Sequence, residues 1–129
     1  SSAASDVYKR QRQGQHLVMN TLTVGERTLE LDKDGYLVNL DDWSIDVANA
    51  LAAAEPLELT AEHWEILELL RGFYAEFQLS PATRPLIKYT ALKLGTDKGN
   101  SLHLNKLFNG TPAKLAAKLA GLPRPTNCL

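Results

Sequence analysis

The chain has 129 residues, of which 44% are hydrophobic and 22% charged, and this length and composition predict one globular domain. Its formal net charge of −1 argues against a surface built as a whole to hold nucleic acid or an anionic membrane, although it allows a local basic patch. No apolar run approaches the roughly 18 residues that a membrane span needs, and the start of the chain lacks the order of a secretory signal, so we expect a cytoplasmic protein with no membrane partner.

Residues 1–18 differ in character from the rest of the chain. They are polar, carry Lys9, Arg10 and Arg12, and show no hydrophobic period, whereas Met19 opens the first patterned stretch. We interpret these residues as an artificial leader before a native start at Met19. A disordered natural tail is the alternative.

The first patterned stretch predicts a β-hairpin. From Thr21 to Leu31, apolar and polar residues alternate on either side of Gly25, as two short strands around a tight turn would require. Residues 32–35 form a turn cluster. Residues 36–40 then either add a short strand or lead into the next helix.

A helix follows and is predicted to end near Ala54. Asp41 or Asp42 is expected to cap its start, and Pro56 breaks the chain after it. Apolar residues recur every four positions and mark its buried face: Trp43, Val47 and Leu51.

The strongest helical pattern runs from about Ala61 to Gln78. Thr60, just before it, is a good N-cap. One side of this helix is predicted to lie in the core because large apolar residues line it: Trp64, Leu67, Leu70, Tyr74 and Phe77.

Three shorter helices complete the body. The regular part of the first is predicted over residues 84–95, and the second over residues 100–108. The last, over residues 112–120, has Pro112 at its start and Gly121 after its end. This order of elements predicts an α+β fold, with a small N-terminal β-hairpin packed on a helical bundle.

After Gly121 the chain is predicted to become an arm. Two prolines each remove a backbone donor and prevent a helix from continuing through residues 122–129. An extended path along this arm would carry Cys128 about 20 Å from the last helix. We therefore expect a single domain over residues 19–121, followed by an extended, mobile C-terminal arm.

Cys128, the only cysteine, is the residue that physical reasoning singles out. It has no partner for an intramolecular disulfide, and a thiol on a proline-stiffened arm is hard to bury as structural cysteines usually are. Sulfur transfer requires a thiolate that attacks a donor persulfide and then presents the outer sulfur to an acceptor, so the carrying residue must enter two different pockets. A cysteine at the tip of a tether can do this. An accidental exposed thiol is the alternative.

The other residues that could carry chemistry form no recognisable site. His63 and His103 are forty residues apart, with no second cysteine and no ligand-type carboxylate pattern, so we expect no metal. His63 falls in the first turn of its helix, where capping or packing is the expected role. The glycines occur singly rather than in a phosphate-binding loop, so we expect no small-molecule cofactor.

The C-terminal half is more basic than the acidic stretch from Glu55 to Glu76. Arg84 and Lys88 are four residues apart and would share a helix face, which makes them candidate docking residues for an acidic partner or for the arm, and Arg124 is a third candidate. A solvated helix face explains them equally well. The string of short helices also fits a helix-turn-helix, which would indicate a DNA-binding regulator.

Four segments between Met19 and Leu129 carry a recognisable pattern. They are Asp32-Lys33-Asp34-Gly35-Tyr36-Leu37, then Leu59-Thr60-Ala61-Glu62-His63-Trp64, then Pro81 with Arg84 and Lys88, and finally Ala120-Gly121-Leu122-Pro123-Arg124-Pro125-Thr126-Asn127-Cys128-Leu129. Together these segments resemble the TusE/DsrC/DsvC family of small sulfur-relay proteins, and the C-terminal segment is the most specific of the four.

The resemblance implies the family fold, a β-hairpin against a helical bundle, with Cys128 as the sulfur-bearing residue. Members that serve dissimilatory sulfite reductase have a second cysteine eleven positions earlier, and that position is Ala117 here. Their intramolecular disulfide or trisulfide chemistry is therefore not open to this chain, and the departure points to the TusE-like branch.

That branch implies a sulfurtransferase in the broad sense. It would accept persulfide sulfur from a TusBCD-type complex and pass it to a tRNA 2-thiouridylase of the MnmA type, alone or with its tRNA, to form 2-thiouridine at the wobble position. The alternatives are a DNA-binding regulator, a DsrC-like accessory protein of sulfur metabolism, and a redox sensor with an intermolecular disulfide at Cys128.

Overall fold

A β-hairpin opens the part of the chain that the computed structural model describes, residues 20–125. Strands β1 (Asn20–Val24) and β2 (Arg27–Leu31) pair antiparallel, and Gly25 takes the positive φ of 61° that a two-residue turn needs. One face of β2 is buried through alternate residues, Leu29 and Leu31. The predicted hairpin is confirmed. The predicted leader, residues 1–18, lies outside the described residues.

Residues 32–44 link the hairpin to the first helix. The side chain of Asp32 accepts hydrogen bonds from two backbone N–H groups of the turn, those of Asp34 and Tyr36. Leu37 then makes one isolated bridge to Leu31. A short 3-10 helix follows over Leu40–Asp42.

The predicted cap of the first helix was wrong. Helix α1 spans Ile45–Ala54, and its N-cap is Ser44, whose hydroxyl accepts from the backbone N–H of Val47. Asp41 and Asp42 belong instead to the 3-10 helix. Trp43 therefore precedes α1 rather than opening its buried face.

Helix α2 spans Ala61–Phe77, with Thr60 at its N-cap as predicted. Leu67 and Leu70 are buried, as expected, and Ile66 is fully buried beside them. The expectation for Phe77 was wrong, since it is 47% exposed. It is the last helical residue, and the helical period does not guarantee that another element covers the end of the helix.

Three further helices follow close to their predicted bounds. They are α3 (Thr83–Leu94), α4 (Ser101–Leu107, with Asn100 as N-cap) and α5 (Pro112–Leu119). Gly95 ends α3 with a φ of 98°, a conformation that favours glycine.

Helix α5 lies at the centre of the body. It packs against each of the other four helices, while β1 packs on α1. Its inward side is built of small residues and leucines, which allow close approach from several directions. The buried members are Ala113, Leu115, Ala116, Ala117 and Leu119. The predicted fold class, a hairpin on a helical bundle, is confirmed.

No helix between residues 20 and 125 combines the length and the apolar character that crossing a bilayer demands.

Candidate functional site

Cys128 lies outside the described residues, so the site is described from the point where the chain leaves the body. Pro125 is the last described residue and is buried. Cys128 follows it by three residues, and three peptide units span at most about 11 Å between Cα atoms. The covalent chain therefore keeps the Cα of Cys128 within that distance of Pro125. We call residues 122–125 the arm root.

Helix α5 ends in a Schellman motif that sets the direction in which the arm root leaves the helix. Gly121 has a φ of 73°, its N–H donates to the carbonyl of Lys118, and the N–H of Leu122 donates to the carbonyl of Ala117. A Cβ on Gly121 would overlap the indole ring of Trp43. The predicted end of α5 is confirmed, and the motif is packed against the segment before α1.

Trp43 and Arg71 hold the end of α5 from two sides. The Trp43 Nε1–H donates to the carbonyl of Leu119 at 2.9 Å, and an Arg71 Nη1–H donates to the carbonyl of Ala120 at 2.6 Å. The guanidinium lies 3.9 Å from the centroid of the Trp43 ring. Burial lowers the pKa of Arg71 below its ordinary value, but a guanidinium stays charged near neutral pH.

The arm root itself lies against the body. Leu122 is only 3% exposed, and the buried hydroxyl of Ser80 donates to the carbonyl of Pro123 at 2.6 Å. The predicted absence of helix holds for residues 122–125, which contain no helix or strand. The rest of the predicted arm, Thr126–Leu129, falls beyond the described residues.

The candidate docking residues do not form one cluster. Arg124 pairs with Asp34 of the turn after β2 at 3.0 Å. Arg84 and Lys88 are both exposed on α3, one helical turn apart, and neither forms an ion pair within residues 20–125. The shared helix face predicted for Arg84 and Lys88 is confirmed, whereas their docking role stays a prediction.

The structure places Arg84 and Lys114 on one groove, an association that the sequence did not suggest. Both line a groove of about 770 Å³ between the start of α3 and the start of α5. Lys114 also lines a smaller cavity of about 260 Å³, whose wall includes Lys118 and Arg124. Lys114 therefore stands between the groove and the arm root. Pro112 placed it in the first turn of α5, but no local signal indicated that α3 lies alongside.

His63 has the structural role predicted for it. Its Nδ1 accepts from the backbone N–H of Thr60 at 3.0 Å, and its Nε2 lies 2.7 Å from the carbonyl of Leu107, which fixes the proton on Nε2 because a carbonyl can only accept. The ring thus caps α2 and ties it to α4. No group of three or more His, Cys, Asp or Glu side chains within residues 20–125 is placed to hold a metal ion.

Comparison with known proteins identifies relatives of this chain. A family model described as DsrC like protein matches residues 23–129. The chain is 51% identical over 108 residues to a protein of Haemophilus influenzae named sulfurtransferase TusE homolog, covering 84% of this chain and 99% of that protein. It is 48% identical over 103 residues to sulfurtransferase TusE of Salmonella typhimurium, covering 80% and 94% of the two chains.

Solved structures show the same fold. The solution structure of DsrC from Allochromatium vinosum superposes with a TM-score of 0.78 at 47% identity, over 85% of this chain and 98% of that one. The crystal structure of oxidized DsrC from Archaeoglobus fulgidus, the gamma-subunit of dissimilatory sulfite reductase, gives a TM-score of 0.73 at 36% identity, over 85% and 100%. By both sequence and fold, this chain belongs to the DsrC-like protein family.

Proposed function

We propose that this chain is a sulfurtransferase that works as a persulfide carrier, with sulfur bound covalently to Cys128. The observation that supports the proposal is the anchoring of the arm root, because it fixes the point on the body from which the last four residues, with the only thiol in the chain, continue. Relatives of about 50% identity are named as sulfurtransferases, and the family match extends through Cys128. Residues 19–121 would serve as the body and residues 122–129 as the arm that delivers the sulfur.

The chemistry is two thiol–persulfide exchanges. The Cys128 thiolate attacks the outer sulfur of a donor persulfide, the donor's S–S bond breaks, and the donor leaves as a thiolate. The acceptor thiolate then attacks the outer sulfur on Cys128, whose own S–S bond breaks and returns the thiolate. Each exchange forms one S–S bond and breaks another, so the relay needs no external oxidant or reductant.

Ala117 supports a carrier with a single thiol. It occupies the position of the second cysteine expected in relatives that serve sulfite reductase, and its methyl group is fully buried in α5. With no second thiol in the chain, sulfur on Cys128 has to leave to another protein. We propose a TusBCD-type complex as donor and a tRNA 2-thiouridylase of the MnmA type as acceptor, forming 2-thiouridine at the wobble position in the cytoplasm.

The candidate docking residues differ in how readily a partner could bind them. Arg84 and Lys88 are exposed and free of ion pairs within the described residues, so they are available to a partner. Arg124 is paired with Asp34, although both side chains stay exposed enough for a partner's carboxylate to replace Asp34.

The test is transfer of labelled sulfur. The protein is incubated with a cysteine desulfurase, its relay proteins and ³⁵S-cysteine, and the product is analysed by intact mass under non-reducing conditions. We expect a gain of one sulfur atom on the unaltered chain and none on Cys128→Ser. Absence of the gain, or an equal gain on Cys128→Ser, would refute the carrier role.

The acceptor is tested separately in cells. Replacing the chromosomal copy by Cys128→Ser should abolish 2-thiouridine in tRNA, measured by mass spectrometry of nucleosides. Normal 2-thiouridine in that strain would exclude the tRNA pathway even if Cys128 accepts sulfur in vitro.

A further inference from the structure

Positive charge is concentrated in the second half of the described chain. Residues 79–125 contain one carboxylate, Asp97, and eight cationic side chains. Three of the eight are neutralised by carboxylates of the first half, in the pairs Lys98–Glu65, Lys118–Glu55 and Arg124–Asp34. The other five have no carboxylate partner within residues 20–125, and they are Arg84, Lys88, Lys93, Lys106 and Lys114.

Two of these five cations line the groove between α3 and α5, and two more are close in sequence to its lining residues. Arg84 and Lys114 line it, Lys88 is one helical turn from Arg84, and Lys106 follows Asn105, another lining residue. We call these four residues the basic face. No carboxylate lines the groove, so its positive charge is not neutralised.

The placement of two of these cations is unfavourable in the free protein. Arg84 and Lys114 lie in the first turns of α3 and α5, where the helix dipole disfavours a positive charge. Helices α1 and α2 carry acidic residues there instead, Asp46 and Glu62. An anion bound in the groove would interact favourably with both cations and with both helix ends, so the arrangement favours a negatively charged partner.

The lining of the groove favours phosphate over an acidic protein surface. Protein interfaces are anchored by aromatic or large aliphatic side chains in pockets. This groove contains none, since apart from its two cations it is lined by Ala, Pro, Gly, Thr and Asn. Cations with hydroxyl and amide donors are typical of contacts to the nucleic-acid backbone.

The groove also lies next to the arm root. Ala82 lines the groove, and Ser80, two residues before it, holds the carbonyl of Pro123. On the basis of the proposed function, the acceptor enzyme holds a tRNA while Cys128 reaches it. We propose that the basic face binds backbone phosphates of that tRNA during the transfer.

The experiment measures the affinity of the full-length protein for an unmodified substrate tRNA by fluorescence anisotropy over a series of salt concentrations. The double variant Arg84→Gln/Lys114→Gln should lower the affinity at least tenfold near 0.1 M salt and reduce the slope of log K against log salt by about two. The matched control Lys33→Gln/Lys93→Gln removes two exposed cations that also lack an ion pair within residues 20–125 but do not line the groove, and it should change the affinity less than threefold.

A charge-conserving variant separates a loss of charge from a loss of structure. Arg84→Lys/Lys114→Arg should retain most of the affinity and the full salt slope. Unchanged binding by the Arg84→Gln/Lys114→Gln variant, or an equal loss in the Lys33→Gln/Lys93→Gln control, would overturn the proposal. So would an Arg84→Gln/Lys114→Gln variant that binds tRNA normally but fails to accept sulfur from the donor complex, because the face would then serve an acidic protein.

The two proposals fail in different ways. If Cys128 gains no sulfur in the labelling assay, the carrier function is wrong, whatever the affinity for tRNA. If Cys128 is labelled normally and the basic face does not affect tRNA binding, only the inference about RNA is wrong.

Discussion

Gly121→Ala should be among the most damaging small substitutions in this chain, because Gly121 combines a positive φ with a crowded site. Its φ of 73° disfavours any residue with a Cβ, at a cost of about 1 kcal/mol. The added methyl group would also overlap the indole ring of Trp43 and lie 2.7 Å from its Cβ. These are rigid atoms, so Trp43 has to move.

Moving Trp43 removes two interactions at once. Its hydrogen bond to the carbonyl of Leu119 contributes about 1 kcal/mol, and its contact with the Arg71 guanidinium contributes about 0.5–1 kcal/mol. Together with the backbone strain, the free energy of unfolding should fall by about 3 kcal/mol, a large part of the 5–15 kcal/mol typical of a domain.

Gly110→Ala is the matched control. Gly110 has a similar φ of 87°, but nothing lies within 4 Å of where its Cβ would be, so only the backbone strain of about 1 kcal/mol applies. Both free energies are measured by urea denaturation followed by far-UV circular dichroism. A loss for Gly121→Ala no greater than that for Gly110→Ala would show that Trp43 does not hold the end of α5 as described.

Three further predictions test the core, the guanidinium and the arm root. Leu70→Ala should lower the free energy of unfolding by about 3 kcal/mol because Leu70 is fully buried, whereas Phe77→Ala should lower it by less than about 1 kcal/mol. Both values are measured by urea denaturation, and equal losses would contradict the different burial of the two side chains. Arg71→Met keeps most of the aliphatic stem but removes a charged donor, so it should lower the free energy of unfolding by about 2 kcal/mol in the same assay. An unchanged urea midpoint would count against the role of the guanidinium. Ser80→Ala removes one hydrogen bond to the arm root and should speed hydrogen exchange of the Leu122 amide about fivefold, as measured by NMR, while unaltered exchange would mean that the hydroxyl does not secure the arm root.

The sequence predicted most elements because their ends carry strong local signals. Thr60 before α2, Asn100 before α4 and the Pro112 to Gly121 interval of α5 each specify a helix end through residues within one turn of it. The signal for the hairpin was equally local, because apolar and polar residues alternate on both sides of Gly25.

The errors arose where distant residues decide the outcome. Three residues before α1 can each cap a helix, and Ser44 does so in a structure in which Trp43 is held by the carbonyl of Leu119, 76 residues away. The exposure of Phe77 likewise depends on which element covers the end of α2. Local patterns contain no information on either contact.

The candidate site was predicted in part for the same reason. Cys128 and the arm were recognisable from composition and from the terminal motif, and Arg84 and Lys88 from their spacing. The contact of the arm root with Ser80 joins residues 43 positions apart, and the groove shared by Arg84 and Lys114 joins two helices across the body. These arise from tertiary packing alone.

The anchored arm root limits how far Cys128 can reach from the body. Because Pro125 is buried and Ser80 holds the carbonyl of Pro123, the Cα of Cys128 can lie at most about 11 Å from that of Pro125, about half the 20 Å predicted for a wholly extended arm. Under the proposed carrier function, the sulfur donor and the sulfur acceptor would each have to bind close to Pro125. Their footprints would then overlap, and the two partners would compete for the carrier.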